Sequence, residues 1–132
     1  AVLVEKLKLY PEEIDVRQNV AAGYDAGLKD VVETPVVPEG YTSVWAQYTV
    51  KLAEGTDRPA VQAKMREAGV PTMVYYPIPL HQQTAYKHFP AESGQLPVTE
   101  SLAGRVLSLP MHPYLGADDQ GRVIEALKSA LV

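Results

Sequence analysis

The sequence has no cysteine among its 132 residues. Disulfides, thiolate metal sites and cysteine nucleophiles are therefore all excluded. It also has no apolar run near the roughly 20 residues that a membrane-spanning helix needs, and no signal-peptide pattern opens it. We expect a cytoplasmic protein with no membrane segment.

Basic residues are scarce as well, since 12 Lys and Arg stand against 16 Asp and Glu for a net charge of −4. Binding to nucleic acid without sequence preference needs a basic face that displaces counterions, so we expect no nucleic-acid partner. Glycine-rich phosphate loops and the G-x-S-x-G nucleophile motif are absent. The three histidines, His81, His88 and His112, lack metal-ligand spacing, so we expect no metal site.

The N-terminal residues predict helices. Leu3 and Leu7 recur at helical spacing with no N-cap before them, which predicts a cut helix over residues 2–9. The chain is therefore expected to be the C-terminal part of a longer one. Pro11 fits the first turn of a second helix that reaches about Lys29. Gly23 and Gly27 lie on one face of that helix, which predicts the close approach of another backbone.

The clearest strand runs over residues 43–52, where apolar and polar residues alternate. The predicted core positions in it are Val44, Ala46, Tyr48, Val50 and Leu52. Trp45 is the exception on the polar face. It either lies on a neighbouring element or contacts another domain or subunit. Residues 31–37 are an edge strand at best, residues 72–76 form a strand, and residues 106–109 either end a helix or form a last strand.

Three more helices complete the pattern. Thr56 or Asp57 caps a helix that Gly69 ends, with inward residues Val61, Met65 and Ala68. A short helix over residues 98–106 turns Leu102 and Val106 inward. Asp118 and Asp119 open the last helix, whose inward residues are Val123, Ile124, Leu127 and Leu131. The order predicts an α+β domain with a three- or four-stranded, mainly antiparallel sheet covered by helices.

The stretch Gly69–Pro90, GVPTMVYYPIPLHQQTAYKHFP, is the best local candidate for a site. In a strand, Tyr75 and Tyr76 would point to opposite faces, so one packs in the core while the other presents its hydroxyl. His81 follows a stiff Pro-x-Pro arm that could fix its imidazole. The alternative is that the tyrosines are half-buried strand residues and the histidine lies free on the surface.

Four blocks in order, AVLVEKLKLY, SVWAQYTVKL, GVPTMVYYPIPLHQQTAYKHFP and LPVTESLAGRVLSLPMHPYL, resemble the C-terminal segment of the DegT/DnrJ/EryC1/StrS sugar aminotransferases. The resemblance runs essentially end to end. It is closest to members that aminate nucleotide-linked 3-keto sugars, such as UDP-2-acetamido-2-deoxy-3-oxo-glucuronate aminotransferases. It implies a fold-type I enzyme that uses pyridoxal 5'-phosphate. Such enzymes are homodimers with active sites at the subunit interface, and they move an amino group from L-glutamate to a nucleotide-linked keto sugar.

The resemblance also implies which functional residues belong to which domain of the family. The Schiff-base lysine and the partner of the pyridine nitrogen belong to the family's large N-terminal domain, and no lysine here matches that motif. Residues 1–132 then correspond to the small C-terminal domain. Within it, residues 1–29 are connecting helices from a missing large domain, and residues 30–132 are the sheet domain. No catalytic or cofactor-binding residue is implied in this chain.

The family's segment that matches Val74–His81 approaches the sugar nucleotide. The resemblance therefore implies substrate binding for Tyr75, Tyr76 and His81, although some relatives carry histidine at the position of Tyr75. Two other readings stay open at this point. The chain could be a binding or regulatory α+β module without catalysis, or a folded fragment with no activity.

Overall fold

A computed structural model describes residues 2–89 and 96–132 of the chain. The sequence also predicts a polar loop over residues 90–97, and most of that stretch lies outside the described residues. The described residues form these elements in order: α1 Val2–Leu28, β1 Tyr48–Lys51, α2 Arg58–Glu67, a 3₁₀ turn Leu80–Gln82, α3 Pro97–Arg105, β2 Val106–Leu109 and α4 Ala117–Ala130. None of these helices has the length and apolar character needed to cross a bilayer.

α1 is one continuous helix that contains Pro11, so the prediction of two separate helices is wrong. Proline removes one N–H donor and crowds the carbonyl four residues back, but the turns on either side can still form. One side-chain contact spans the two turns here, and Tyr114 shares its acceptor. Lys6 Nζ lies 2.9 Å from Glu13 Oε1 across the proline, and the Tyr114 hydroxyl donates to the same oxygen at 2.7 Å.

The C-terminal half of α1 packs closely on α4. A Cβ atom on Gly23 would lie 2.7 Å from Gln120 Oε1, and one on Gly27 would lie 2.7 Å from Ile124 Cδ1. Gln120 Nε2 in turn donates to the Val20 carbonyl at 2.6 Å. Another element therefore approaches both glycines closely, but the prediction that its backbone does so is wrong, because the nearest atoms belong to side chains of α4.

The α+β class and the antiparallel direction are confirmed. β1 pairs with β2, Tyr48 lying opposite Leu109 and Lys51 opposite Val106. Residues 106–109 are therefore the last strand. Single bridges join Glu33 to Lys51 and Met73 to Ser108, so each edge of the sheet gains one residue. The regular sheet has two strands, because the stretches 31–37 and 72–76 pair only through those bridges.

The strand predicted from residue 43 begins only at Tyr48, because Trp45 adopts a left-handed backbone conformation with φ 49°. The turn breaks the alternation of the strand. Two predicted core positions are consequently exposed: Val44 and Ala46. Trp45 is only 6% exposed, and its Nε1 donates to Gln18 Oε1 of α1 at 2.7 Å. Trp45 therefore packs on a neighbouring element of this chain.

Helix ends follow the predicted signals. The Asp57 carboxylate accepts from the Ala60 N–H at 3.0 Å, and Gly69 ends α2 with φ +77°. Ala68 is exposed rather than inward, because it is the C-cap residue where the backbone leaves the helix. The core joins α1, the sheet, α2 and α4, and its largest fully buried side chains are Tyr24, Leu28, Tyr48, Leu52, Met65, Leu107 and Leu127.

Candidate functional site

The segment that follows α2 touches the sheet at one residue and then leaves it. Met73 exchanges two backbone hydrogen bonds with Ser108, of 3.1 and 2.8 Å. The antiparallel register would next pair Pro71 with Pro110, and neither has an N–H to give. On the other side, the Val106 N–H that would face Tyr75 donates to the Leu102 carbonyl instead. The predicted strand over residues 72–76 therefore stops at one bridge.

Tyr75 and Tyr76 consequently do not point to opposite faces, and that prediction is wrong. Their peptide bond is cis, and their rings meet edge to face with centroids 5.8 Å apart and planes at 73°. Tyr75 is 39% exposed and Tyr76 is 73% exposed. The two rings together present one aromatic surface at the edge of the domain.

Both tyrosines line a cavity of about 580 Å³ between the 3₁₀ turn and α3. The other main lining residues are Leu80, Thr99, Leu102 and Val106. We call this the tyrosine cavity. Its walls are mostly apolar, with hydroxyl groups from the tyrosines and Thr99 and an amide from Gln83, and its size falls in the usual range of ligand pockets. No lysine or arginine belongs to this lining among the residues that the structure describes.

His81 lies beside the tyrosine cavity but is not part of its lining. Its Nε2 is 2.9 Å from Glu100 Oε1, and the Leu96 N–H donates to the same oxygen at 3.1 Å. These two bonds, from His81 first and then from Leu96, lower the pKa of the Glu100 carboxyl. The pair ties the 3₁₀ turn to the first turn of α3.

Glu100 is the residue of this region that sequence reasoning missed. It stands 19 positions from His81, and its only local signal is an acidic side chain in the first turn of a predicted helix. That position favours carboxylates through the helix dipole, so it did not indicate a partner for an imidazole. His88 stacks on Phe89, and His112 Nδ1 accepts from the Tyr114 N–H at 3.2 Å.

Residues 1–128 match the sequence model of the DegT/DnrJ/EryC1/StrS aminotransferase family. The chain belongs to this family. It is 49% identical over 116 residues to the UDP-2-acetamido-2-deoxy-3-oxo-D-glucuronate aminotransferase of Pseudomonas aeruginosa. The aligned region covers 87% of this chain and 31% of that enzyme. The chain thus spans about a third of the length of the curated relatives it matches.

Solved structures give the same family fold. The crystal structure of a DegT DnrJ EryC1 StrS aminotransferase from Brucella abortus matches with a TM-score of 0.92 and 44% identity, over 98% of this chain and 34% of that one. S. venezuelae DesV, solved in complex with a ketimine intermediate, matches with a TM-score of 0.88 and 32% identity, over 97% of this chain and 34% of that one. These structural neighbours are fold-type I pyridoxal-phosphate aminotransferases.

The cofactor of this family needs a lysine for its aldehyde, and no lysine lines the tyrosine cavity among the described residues. Five lysines contact other groups. The pairs are Lys6 with Glu13, Lys8 with Glu5, Lys51 with Glu33, Lys64 with the Ala130 carbonyl, and Lys128 with Glu125. Lys29 and Lys87 are exposed and do not line the tyrosine cavity. Over residues 2–89 and 96–132, no three histidine or carboxylate side chains gather as metal ligands either.

Proposed function

We propose that the whole protein is a pyridoxal-phosphate-dependent aminotransferase that moves an amino group from L-glutamate to a nucleotide-linked keto sugar and works as a homodimer. The observation that carries the proposal is the family match over residues 1–128, which runs through the tyrosine cavity. The 49% identity with an enzyme named for a UDP-linked 3-oxo sugar supports the acceptor class.

In this proposal the chain is the small C-terminal domain, with residues 1–29 joining it to a large domain and residues 30–132 forming the sheet domain. The exposure of α1 supports this division. Its buried residues begin at Val20, whereas Leu3 is 77% and Leu7 is 66% exposed. An apolar helix surface of this kind is typical of a segment that packs on another domain or subunit.

The chain contributes to substrate binding through Tyr75, Tyr76 and His81. The exposed tyrosine rings offer an apolar face for a sugar ring and hydroxyls that donate or accept hydrogen bonds. Glu100 accepts from His81 Nε2, which leaves Nδ1 as the nitrogen for a substrate group. When bound by the rest of the protein, the cofactor supplies the electron sink of transamination. The chain contributes substrate orientation and the shape of one wall.

A spectroscopic experiment on the full-length protein tests the proposal. With pyridoxal phosphate, we expect an absorption band of a lysine-bound cofactor that shifts when L-glutamate is added. Borohydride reduction and peptide mass measurement should then locate the modified lysine outside these 132 residues. A full-length protein without such a band would contradict the proposal and favour a non-catalytic binding or regulatory module. A reduced adduct on Lys29 or Lys87 would contradict the proposed division between the two domains.

A further inference from the structure

Tyr75 borders two cavities rather than one. Besides the tyrosine cavity, it lines a smaller cavity of about 240 Å³ on the side of the sheet. We call this the strand-side cavity; Gln47, Met73, Ser108 and Met111 are among its other lining residues. Ligand pockets for drug-sized molecules span about 300–1,000 Å³. The strand-side cavity therefore suits a single ring rather than a complete nucleotide sugar.

The floor of the strand-side cavity is fixed by the sheet. Ser108 is 5% exposed, its hydroxyl lies 2.8 Å from Thr49 Oγ1, and its backbone holds Met73 through two hydrogen bonds. The hydroxyl and the backbone N–H and C=O of Ser108 therefore all have partners within the fold. Tyr75 lies two residues after Met73 in the chain. The bonds between Met73 and the sheet therefore also help to position the Tyr75 ring.

Besides Ser108 and the Tyr75 hydroxyl, Gln47 is the polar side chain of that lining. It is exposed, and its amide makes no hydrogen bond to another described residue. Its backbone is held on both sides, by Trp45 at 6% exposure and Tyr48 at 0%. The Arg17 guanidinium adds a 2.8 Å hydrogen bond to the Trp45 carbonyl, which fixes the turn before Gln47. The side chain is therefore presented from a rigid backbone while its amide stays available for a ligand.

An amide offers a donor and an acceptor side by side, which matches the adjacent hydroxyl and carbonyl groups of a pyranose ring. The Tyr75 ring across the same cavity offers an apolar face for such a ring. We infer that Gln47 is a specificity-determining residue that hydrogen-bonds to the sugar of the nucleotide-linked substrate while the sugar lies against Tyr75. The inference rests on the proposed function and adds the residue and the part of the substrate that it recognises.

The test uses the full-length enzyme with Gln47→Met, which keeps the length of the side chain and removes both hydrogen-bonding groups. With UDP-2-acetamido-2-deoxy-3-oxo-D-glucuronate as the acceptor, we expect kcat/KM to fall about tenfold, the effect of losing one or two hydrogen bonds. The half-reaction with L-glutamate, followed by the cofactor spectrum, should change by less than about twofold. Inhibition by UDP alone should not change, because UDP has no sugar for Gln47 to bind.

The matched control is Gln62→Met, since Gln62 lies on α2 and lines neither the strand-side cavity nor the tyrosine cavity. It should leave all three measurements unchanged. Gln47→Met that keeps wild-type kcat/KM would overturn the inference. Equal loss in both half-reactions would overturn it by making Gln47 structural, and weaker inhibition by UDP would overturn it by placing Gln47 at the nucleotide. A wild-type enzyme that takes glutamate but aminates no nucleotide-linked sugar would overturn the proposed function itself.

Discussion

Two pairs of tyrosines in this chain have the same side-chain chemistry but differ in burial and in hydrogen-bond partners. Tyr24 and Tyr48 are fully buried with ring centroids 4.8 Å apart, and each hydroxyl has a partner inside the fold. Tyr24 donates to the Pro110 carbonyl at 2.8 Å and Tyr48 to Asp25 at 2.5 Å. The buried pair therefore serves stability.

Tyr75 and Tyr76 form the exposed pair, at a centroid distance of 5.8 Å. Within the described residues their hydroxyls are not used by the fold, so they remain available for a ligand. The comparison shows that burial and hydrogen-bond partners, rather than residue type, separate a packing ring from a ring that is available for a ligand. It also predicts that substitutions in the two pairs affect different properties.

Replacing a ring of each pair with alanine gives the largest expected contrast. Tyr48→Ala should lower the free energy of unfolding by about 3–5 kcal/mol, because it empties a fully buried ring site beside Tyr24 and Trp45. Tyr76→Ala should change it by less than about 0.5 kcal/mol. Urea denaturation of the full-length protein measures both. Equal destabilisation by the two variants would remove the distinction between the pairs.

Alkaline pH should affect stability through the buried pair. Burial raises the pKa of Tyr24 and, together with the hydrogen bond to Asp25, that of Tyr48. The fold favours the protonated hydroxyls, so their contribution is complete below the ordinary tyrosine pKa of about 10 and is lost as the pH rises above it. Denaturation midpoints from about pH 8 to 11 should fall less steeply in Tyr24→Phe. The exposed Tyr41→Phe is the control, and an unchanged slope in Tyr24→Phe would refute this account.

The exposed pair should affect substrate use instead. Tyr76→Phe in the full-length enzyme should lower kcat/KM for the nucleotide-linked sugar by about tenfold through one lost hydrogen bond. Its glutamate half-reaction should stay within about twofold of wild type. Steady-state kinetics and cofactor spectra measure the two halves, with Tyr41→Phe again as a control. Equal losses in both halves would assign Tyr76 a structural role.

The smallest expected effect concerns the link between His81 and Glu100. Glu100→Gln should lower kcat/KM for the sugar a few-fold, by about threefold, because it weakens the group that orients the imidazole. In a His81→Ala background the same change should have no further effect, and additive losses would exclude the coupling. The pKa of Glu100 is lowered, so the stability contributed by the pair is complete above the ordinary glutamate pKa of about 4.3 and is lost as the pH falls through the lower pKa of the folded state.

Local signals predicted α2 and α4 well. The carboxylate of Asp57, the glycine at position 69 and the periodic residues Val61 and Met65 each act within one or two helical turns, so the sequence contains them directly. The same holds for α4 with Val123 and Leu127. The α+β class follows from those helices together with the alternation around β1.

The departures depend on contacts that a local pattern does not contain. The turn at Trp45 is held by a hydrogen bond to Gln18 of α1, which lies 27 positions earlier in the chain. The strand at residues 72–76 fails because Pro71 would face Pro110, a coincidence set by register alone. The shared face of Tyr75 and Tyr76 follows from that failure. The substrate-binding roles of Tyr75, Tyr76 and His81 remain predictions.

The single bridge between Met73 and Ser108 allows the residues that follow it to change independently of the core. Two backbone hydrogen bonds join the segment after α2 to the sheet, and backbone hydrogen bonds do not depend on the identity of the side chains. A lineage can therefore rewrite the residues after Met73 without rebuilding the core around Tyr24 and Tyr48. The same core can therefore carry different side chains along this edge.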